Sequence, residues 1–322
     1  IRRLLRGRLA NERLASVEEE QTRVMEFLDG MTGSPIAVST QEANEQHYEL
    51  PPAFFRQVLG HRLKYSSCYY TRPDMTLDEA EDEMLALTCA RAELENGQEI
   101  LELGCGWGSL TLWMADRYPD SRVTAVSNSR LQKEFIEERA RANSLSNVTV
   151  ITADMNDFSI NSRFDRVVSV EMIEHMRNTR ELFSRIAGWM KDDAMFFMHI
   201  FTHRLYPYFF ETPGRKNWMA QYFFTGGMMP SDALPLYLQD RLVCAGHWCV
   251  DGTHYARTSR DWLRNMDRKR AQLVPLLRDV YGHDAGEVWF QRWRIFFMSC
   301  EELWGFRRGR EWLVSHYLFR RR

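Results

Sequence analysis

The sequence lacks the patterns that define several classes of protein. Its six cysteines never stand at C-x-x-C spacing, so neither a disulfide scaffold nor a redox pair is indicated. The histidines do not fall at metal-ligand spacing, and no G-x-S-x-G motif for a serine nucleophile is present. We therefore expect reduced thiols, no metal ion and no serine hydrolase. The histidines considered for metal binding are His199, His203, His247 and His254.

Long hydrophobic runs and a surplus of one charge are also missing. No apolar stretch approaches the ~20 residues of a membrane-spanning helix, and the N-terminal residues given contain no apolar run of a secretory signal. The 42 basic and 44 acidic residues leave a formal net charge of −2, which gives no reason to expect nucleic acid as a partner. We expect a cytoplasmic protein without stable membrane insertion, and a homodimer stays open. The arginines near both ends are interpreted as solvated charge, with contact to a membrane surface as the alternative.

Aromatic residues and methionine, by contrast, are abundant. The 322 residues include 13% aromatics, 10 Trp and 16 Met, and this enrichment is concentrated after residue 200. The length allows one large α/β domain with additions or two small domains. The composition indicates an apolar, adaptable pocket in the C-terminal half, although an ordinary core would use the same residues.

The order of the expected elements predicts an α/β fold. Strands and helices alternate from residue 99 onwards, and such alternation predicts a parallel sheet with ligands at the carboxyl ends of its strands. Apolar residues at helical spacing precede this region. The expected strands are 99–103, 122–127, 147–152, 164–170, 194–200, 241–248 and 311–319. The expected helices are 10–29, 51–60, 76–93, 109–118, 129–144, 179–190, 258–281 and 284–304.

This pattern divides the chain into four segments. The first is a helical cap, the second the cofactor-binding core, the third a loop-rich aromatic insertion placed to act as a lid, and the fourth completes the sheet and the substrate pocket. The expected bounds are 1–95, 96–202, 203–240 and 241–322.

The most informative motif is Ile100-Leu-Glu-Leu-Gly-Cys-Gly-Trp-Gly108, in which an apolar strand runs into alternating glycines. Glycine lets the backbone turn sharply and approach a ligand, and the amides of a helix beginning at Ser109 would point at that ligand. A dinucleotide site needs G-x-G-x-x-G and an acidic residue about 20 residues later. Here Ser109 holds the last glycine position. The turn therefore favours S-adenosylmethionine over NAD, with Gly104 and Gly106 as contacts and a merely structural turn as the other alternative.

The ends of the next strands carry further candidate residues. Ser127 ends the strand 122–127 and Asn128 follows it, and Asp154 and Met155 follow the strand 147–152. In this class of fold the residues after the third strand bind the adenine. The acid can accept a hydrogen bond from the exocyclic amine, and the soft side chain of methionine can cover the ring. The alternative for Asp154 is that it caps its own turn.

Glu171, Glu174 and His175 follow the strand 164–170. A protonated amine has no lone pair with which to attack a methyl group, so a base must take its proton. An imidazole with an ordinary pKa of about 6.5 suits this task, and Glu174 or Glu171 would orient it and attract a cation. The alternative is that Glu171 caps the following helix and His175 makes only local hydrogen bonds.

Five segments together resemble the cyclopropane-fatty-acid synthase superfamily and, within it, the coclaurine N-methyltransferase branch, which methylates benzylisoquinoline alkaloid amines in plants. The resemblance covers nearly all of residues 10–322. It implies a seven-stranded, Rossmann-like class I methyltransferase fold with an N-terminal helical cap and S-adenosylmethionine as cofactor. The segments are His47-Tyr-Glu49, Leu63-Lys-Tyr-Ser-Ser-Cys-Tyr69, Leu101-Glu-Leu-Gly-Cys-Gly-Trp-Gly108, Val170-Glu-Met-Ile-Glu-His-Met176 and Phe223-Phe-Thr-Gly-Gly-Met-Met-Pro-Ser231.

The resemblance also assigns roles to individual positions. It implies that Ser66 and Gly104 touch the methionine end of the cofactor, that Ser127 and Gln132 hold its ribose region, and that Met155 covers its adenine. It implies catalytic roles for Glu171, Glu174 and His175, and it places Glu49 against the substrate amine.

The lipid-modifying branch instead holds a bicarbonate base, through residues that match Ser67, Glu174, His199 and Tyr255. That branch has a cysteine where this chain has Ser67, which weakens the bicarbonate alternative. We assign Tyr255 to substrate binding. The predicted function is N-methylation of a small, aromatic or heterocyclic amine, and the alternatives are a lipid methyl or methylene transferase and an inactive cofactor-binding protein.

Overall fold

The computed structural model describes residues 1–38, 50–210 and 218–322. Within these residues, seven strands form one sheet in the order β3-β2-β1-β4-β5-β9-β8, and β6 pairs with β7 in a small second sheet. The strands are β1 Glu99–Leu103, β2 Arg122–Ser127, β3 Val148–Thr152, β4 Phe164–Val170, β5 Met190–His203, β6 Tyr208–Phe209, β7 Met228–Met229, β8 Leu242–Val250 and β9 Trp312–Arg321.

The helices lie before, between and after these strands. In chain order they are α1 Arg2–Glu12, α2 Val17–Met31, α3 Pro52–Val58, α4 Leu77–Arg91, α5 Ser109–Arg117, α6 Arg130–Ala142, α7 Thr179–Trp189, α8 Trp218–Tyr222, α9 Gly252–Arg268, α10 Arg270–Tyr281 and α11 Gly286–Trp304. This is the α/β methyltransferase fold expected from the sequence. None of the described helices is long and apolar enough to cross a membrane.

The sheet is parallel only in part. Strands β1 to β5 pair in parallel, as predicted, but β9 runs antiparallel to both β5 and β8. The preceding turn brings Gly309 against Gly252, just beyond the end of β8, so the chain enters β9 from the carboxyl edge of the sheet. The closing strand thus departs from the parallel order that the strand–helix alternation predicts.

Two predicted helices are each divided. The helix expected over 10–29 ends at Glu12 and begins again at Val17, because the Ser16 hydroxyl accepts the Glu19 N–H and caps a new N-terminus. The helix expected over 258–281 ends at Arg268, where the Lys269 N–H bonds back to the carbonyls of Asn265 and Met266. The remaining predicted elements of the core agree with the structure to within a few residues.

Aromatic side chains join the N-terminal and C-terminal helices into one layer over the carboxyl edge of the sheet. Phe54 of α3 contacts Trp293 of α11, with ring centroids 4.9 Å apart, and Trp293 packs on Phe297. Trp262 of α9 joins the same cluster. This layer covers the strand ends at which the site residues lie. The division of the chain into segments at residues 95, 202 and 240 stays a prediction.

Candidate active site

A cleft opens at the carboxyl ends of the parallel strands, with an empty volume of about 1230 Å³ including the part open to solvent. All eight predicted cofactor contacts line it, and so do Glu171 and His175. Glu49 lies outside the described residues. The eight are Ser66, Gly104, Gly106, Ser127, Asn128, Gln132, Asp154 and Met155.

The glycine turn forms the floor of this cleft. Gly104 has a φ of +82°, and a Cβ added to it would lie 2.5 Å from Cγ of Met172. Gly106 also has a left-handed φ, +51°, but a Cβ there would meet none of the described residues within 4 Å. Packing and backbone conformation both require glycine at position 104. At position 106 the absence of a side chain leaves room in the cleft for a ligand to approach the backbone.

The ribose side of the expected cofactor site contains a polar group without a partner. The Ser127 hydroxyl donates to Oε1 of Gln132 at 2.6 Å and accepts the Ser129 N–H at 3.0 Å. Gln132 is 2% exposed, yet its Nε2 has no hydrogen-bond partner among the described residues. A buried amide donor without a partner costs free energy, so this pocket fits a ligand that supplies acceptors, such as the hydroxyls of a ribose.

Asp154 and Met155 stand where the sequence predicted the adenine pocket. Met155 is buried in the cleft wall. Oδ1 of Asp154 accepts the Asn156 N–H at 2.8 Å, so the turn-capping alternative is realised for that oxygen. Capping does not remove the residue from the cleft, because Asp154 still lines it.

Glu171 is the most heavily bonded acid of the site. Its Oε1 accepts the Ser67 N–H at 2.9 Å and contacts Nε2 of His199 at 3.0 Å, while its Oε2 accepts the Tyr255 hydroxyl at 2.6 Å. The residue has a φ of +46°, a strained conformation for a side chain of this size. Burial raises the pKa of Glu171, and the ammonium of Lys64 and these donors oppose that rise.

His175 lies in the cleft wall on a short 3-10 turn, Ile173–His175. Burial lowers the pKa of its imidazole to about 4, although the charge of Glu171 acts in the opposite direction. The expectation of an ordinary pKa is therefore wrong for the folded chain. The imidazole is neutral at physiological pH and can accept a hydrogen bond or a proton.

Glu174 lies behind the cleft wall and is fully buried. Its Oε1 accepts the Phe201 N–H at 2.7 Å, and its Oε2 has no hydrogen-bond partner among the described residues. Burial, reinforced by the charge of Glu171, raises the pKa of Glu174 well above its usual range. The side chain ties the turn that carries His175 to strand β5.

Sequence reasoning missed two charged groups of the cleft. Lys64 is 3% exposed and donates from Nζ to Oγ of Ser66 and to the Ser67 carbonyl. Glu102, at the end of β1, accepts the Thr111 hydroxyl, and burial raises its pKa to about 7. Both residues lie inside the motifs 63–69 and 101–108. The sequence alone does not distinguish them from surface charges, because only the folded chain shows that they are buried beside the cleft.

Comparison with known proteins adds the family. Residues 37–313 match the mycolic acid cyclopropane synthetase family. An (S)-coclaurine N-methyltransferase of Thalictrum flavum subsp. glaucum is 37% identical over 312 residues, which are 96% of this chain and 86% of that protein. The cyclopropane-fatty-acyl-phospholipid synthase of Escherichia coli (strain K12) is 30% identical over 227 residues, which are 68% of this chain and 54% of that protein.

A solved structure agrees over almost the whole chain. The crystal structure of coclaurine N-methyltransferase bound to N-methylheliamine and SAH has a TM-score of 0.95 and 35% sequence identity, and the match covers 99% of this chain and 93% of that one. The glycine turn, the unpartnered Gln132 amide and this likeness agree on the cofactor. The chain belongs to the mycolic acid cyclopropane synthetase family and is an S-adenosylmethionine-dependent methyltransferase.

Proposed function

We propose that this methyltransferase acts on the nitrogen of a small amine with an aromatic or heterocyclic body. The observation that carries the proposal is the juxtaposition, in one cleft, of a carboxyl hydrogen-bonded to three residues and an imidazole kept neutral by burial. The carboxyl attracts a cationic amine, and the imidazole accepts its proton. The names of several relatives, such as (S)-coclaurine and pavine N-methyltransferases, support the same reaction.

Proton removal and attack are separate tasks in this reaction. S-adenosylmethionine supplies a methyl group on a positively charged sulfur, which keeps the electron pair of the broken C–S bond. The amine nitrogen forms the new N–C bond with its own lone pair, and His175 takes the proton that this nitrogen gives up. Because the pKa of His175 is about 4, the imidazole holds that proton only briefly, and we expect the uncharged amine to be the reactive form.

The other predicted residues act around this pair. Glu171 orients the amine and, through its charge, favours proton transfer to His175. Glu174 is a positioning residue, because its bond to Phe201 fixes the turn that carries His175. Tyr255 acts through Glu171, to which it donates, and Glu49 stays proposed as a second anionic contact.

The aromatic insertion supports an acceptor with a flat apolar body. Thr225 of this insertion lines the cleft, and the adjacent Phe224 packs on Phe201 and Phe210 at ring-centroid distances of 5.6 and 4.9 Å. Aromatic walls bind both apolar rings and organic cations. We place the aromatic body of the acceptor against this wall. The sequence leads us to expect that the enzyme itself is cytoplasmic.

The donor set of Glu171 argues against the lipid alternative. Three of the four positions that the lipid-modifying branch uses for bicarbonate are Ser67, His199 and Tyr255. In this chain the Ser67 N–H and the Tyr255 hydroxyl donate to Glu171, and the His199 ring bonds to the same carboxyl. The carboxyl of Glu171 thus already forms hydrogen bonds with these three residues.

The test is an assay with methyl-labelled S-adenosylmethionine and three acceptor sets: aromatic heterocyclic amines, aliphatic amines of similar size, and vesicles of unsaturated phospholipids. We expect label on nitrogen, with kcat/KM at least about tenfold higher for the aromatic set. Label in the lipid would overturn the proposal, and so would cofactor binding without turnover on any amine. Glu171→Gln is the matched variant, because it keeps the shape of the side chain and removes its charge.

A further inference from the structure

A buried chain of four side chains connects Glu171 to the outer face of helix α4. Nε2 of His199 lies 3.0 Å from Oε1 of Glu171, and Nδ1 of His199 lies 2.9 Å from Nε2 of His316. Nδ1 of His316 in turn lies 2.7 Å from a guanidinium nitrogen of Arg91. Both histidines have no exposed surface. We call this chain of Glu171, His199, His316 and Arg91 the histidine relay.

The arginine at its outer end fixes every proton in the relay. A guanidinium only donates, so Nδ1 of His316 must accept and the proton of that ring must be on Nε2. That proton is donated to Nδ1 of His199, whose own proton is then on Nε2 and points at Glu171. Neutral rings satisfy this arrangement completely, and burial together with nearby cationic groups lowers the pKa of both rings well below its usual range.

We propose that Arg91 and His316 are positioning residues for methyl transfer: they lock His199 as a donor, so that Oε1 of Glu171 stays an acceptor and the carboxyl favours its anionic form. This inference rests on the role proposed for Glu171. Oε1 then receives two N–H donors, from Ser67 and His199, and a proton on Glu171 can reside only on Oε2, beside Tyr255.

The relay polarises the carboxyl and does not conduct a proton to solvent. Arginine stays protonated at any pH at which proteins fold, so it cannot pass a proton on. A second bond also couples the inner pair, because the Glu171 N–H donates to the His199 carbonyl at 2.9 Å. The strained backbone of Glu171 is thus held by the residue whose ring orients its side chain.

Arg91→Met is the principal variant, because Arg91 is half-buried and its guanidinium covers the ring of Trp248 at 5.1 Å. Methionine keeps the length and the apolar contact but removes the donor. The control is Arg257→Met, since Arg257 is likewise half-buried, covers the ring of Tyr70 at 4.1 Å and donates to backbone carbonyls outside the relay.

We expect Arg91→Met to lower kcat about tenfold, the effect of losing one charge-assisted hydrogen bond. Without its fixed donor the relay admits the other tautomers, so the acid limb of the kcat–pH profile at saturating amine moves to higher pH. The dissociation constant of S-adenosylhomocysteine stays within twofold, and Arg91→Lys restores most of kcat. His316→Phe, which removes both bonds of that ring, gives the same shift of the acid limb. An unmoved acid limb in Arg91→Met and His316→Phe overturns the inference, as does an equal loss in Arg257→Met.

A measurement without turnover separates this inference from the proposed function. Nitrogen-15 NMR of labelled imidazoles reports the tautomer of each histidine, and the signals of His199 and His316 are assigned by substitution. We expect two neutral rings protonated at Nε2 at pH 7, and a change of tautomer population in Arg91→Met. A ring protonated at Nδ1, or a cationic ring, at pH 7 overturns the relay whatever acceptor the enzyme uses. The expected tautomers together with no amine turnover would leave the relay intact and refute the proposed function.

Discussion

The imidazole of His175 lies against the ring of Phe224, with ring centroids 4.5 Å apart and planes inclined by 33°. This contact joins the end of strand β4 to the aromatic insertion, two parts of the chain that the sequence assigned to catalysis and to substrate enclosure. The proposed base is therefore built into an apolar wall, and the same wall that receives the acceptor also removes water from the imidazole.

Replacing His175 by alanine tests its role as base. We expect kcat to fall about 100-fold or more, because positioned bases typically contribute that much. The affinity for S-adenosylhomocysteine, measured by calorimetry, should change little, since the proposed contact is with the acceptor. His175→Gln, which can accept a hydrogen bond but cannot take the proton, should fall almost as far. Normal turnover in the alanine variant would contradict the role.

The low pKa of His175 predicts an unusual pH dependence. With a pKa of about 4, the imidazole does not titrate between pH 5 and pH 9. The rise of kcat/KM with pH in that range should then follow the ionisation of the acceptor amine. Two good acceptors whose own pKa values differ by about two units should give inflections displaced by about the same amount. A common inflection near pH 6.5 for both would show that the imidazole itself titrates.

The two glycines of the turn should respond differently to alanine. A Cβ at Gly104 collides with Met172 in a left-handed backbone, so Gly104→Ala should lose about 1–3 kcal/mol of unfolding free energy. A Cβ at Gly106 meets no atom of the described residues within 4 Å but adds volume to the cleft floor, so Gly106→Ala should keep more of its stability and lose cofactor affinity. Denaturant unfolding and calorimetry on both variants measure the two effects. Equal losses of stability would refute this distinction.

Gln132 offers a direct test of the ribose pocket. We expect Gln132→Leu to weaken S-adenosylhomocysteine binding about tenfold, because the buried Nε2 group donates a hydrogen bond to the ligand that leucine cannot replace. The ligand-free variant loses the bond from the Ser127 hydroxyl to Oε1, but it also loses an Nε2 that has no partner among the described residues, so its unfolding free energy should change by no more than about 1 kcal/mol. Ser184→Ala, a change on helix α7 outside the cleft, serves as the control. Unchanged affinity in Gln132→Leu would remove this residue from the cofactor site.

Sequence patterns predicted the parts of this molecule that depend on local order. The strands 99–103, 122–127 and 164–170 have the predicted bounds, because each contains branched or aromatic apolar residues that the sheet buries. The residues just beyond these strands converge on one cleft, since parallel strands end at one edge. Charged residues inside the motifs, such as Glu102, could not be assigned to the site, because the sequence pattern does not show which acids are buried.

The partners of Glu171 required the folded chain. Ser67, His199 and Tyr255 stand 104, 28 and 84 positions away from it, and no periodicity relates such positions. His316 is on the closing strand and Arg91 at the end of helix α4, so the histidine relay exists only through the pairing of β5 with β9. The pKa of His175 likewise depends on residues distant in sequence that bury its imidazole. The unperturbed pKa of histidine therefore did not predict the low value in the folded chain.

The buried carboxyl of Glu102 predicts a pH dependence of stability. It is 3% exposed, and burial raises its pKa from 4.5 to about 7. A carboxyl whose pKa is higher in the folded than in the unfolded chain contributes stability that is present below pH 4.5 and is lost as the pH rises through 7. At pH 8 the charged form costs about 3 kcal/mol, so Glu102→Gln should unfold at a higher temperature than the parent at pH 8 and at nearly the same temperature at pH 4.5.

The same substitution should weaken the cofactor. Glu102 lines the cleft and accepts the Thr111 hydroxyl, and a buried carboxylate favours a cationic partner such as the ammonium of the cofactor's methionine end. We expect Glu102→Gln to bind S-adenosylhomocysteine about tenfold more weakly by calorimetry. Glu81→Gln is the matched control, because the pKa of Glu81 is also raised to about 7, but its carboxyl does not line the cleft and accepts the backbone N–H groups of Gly60, Arg62 and Lys64. That variant should lose stability and keep its affinity, and a Glu102→Gln variant with undiminished affinity would place the ammonium elsewhere.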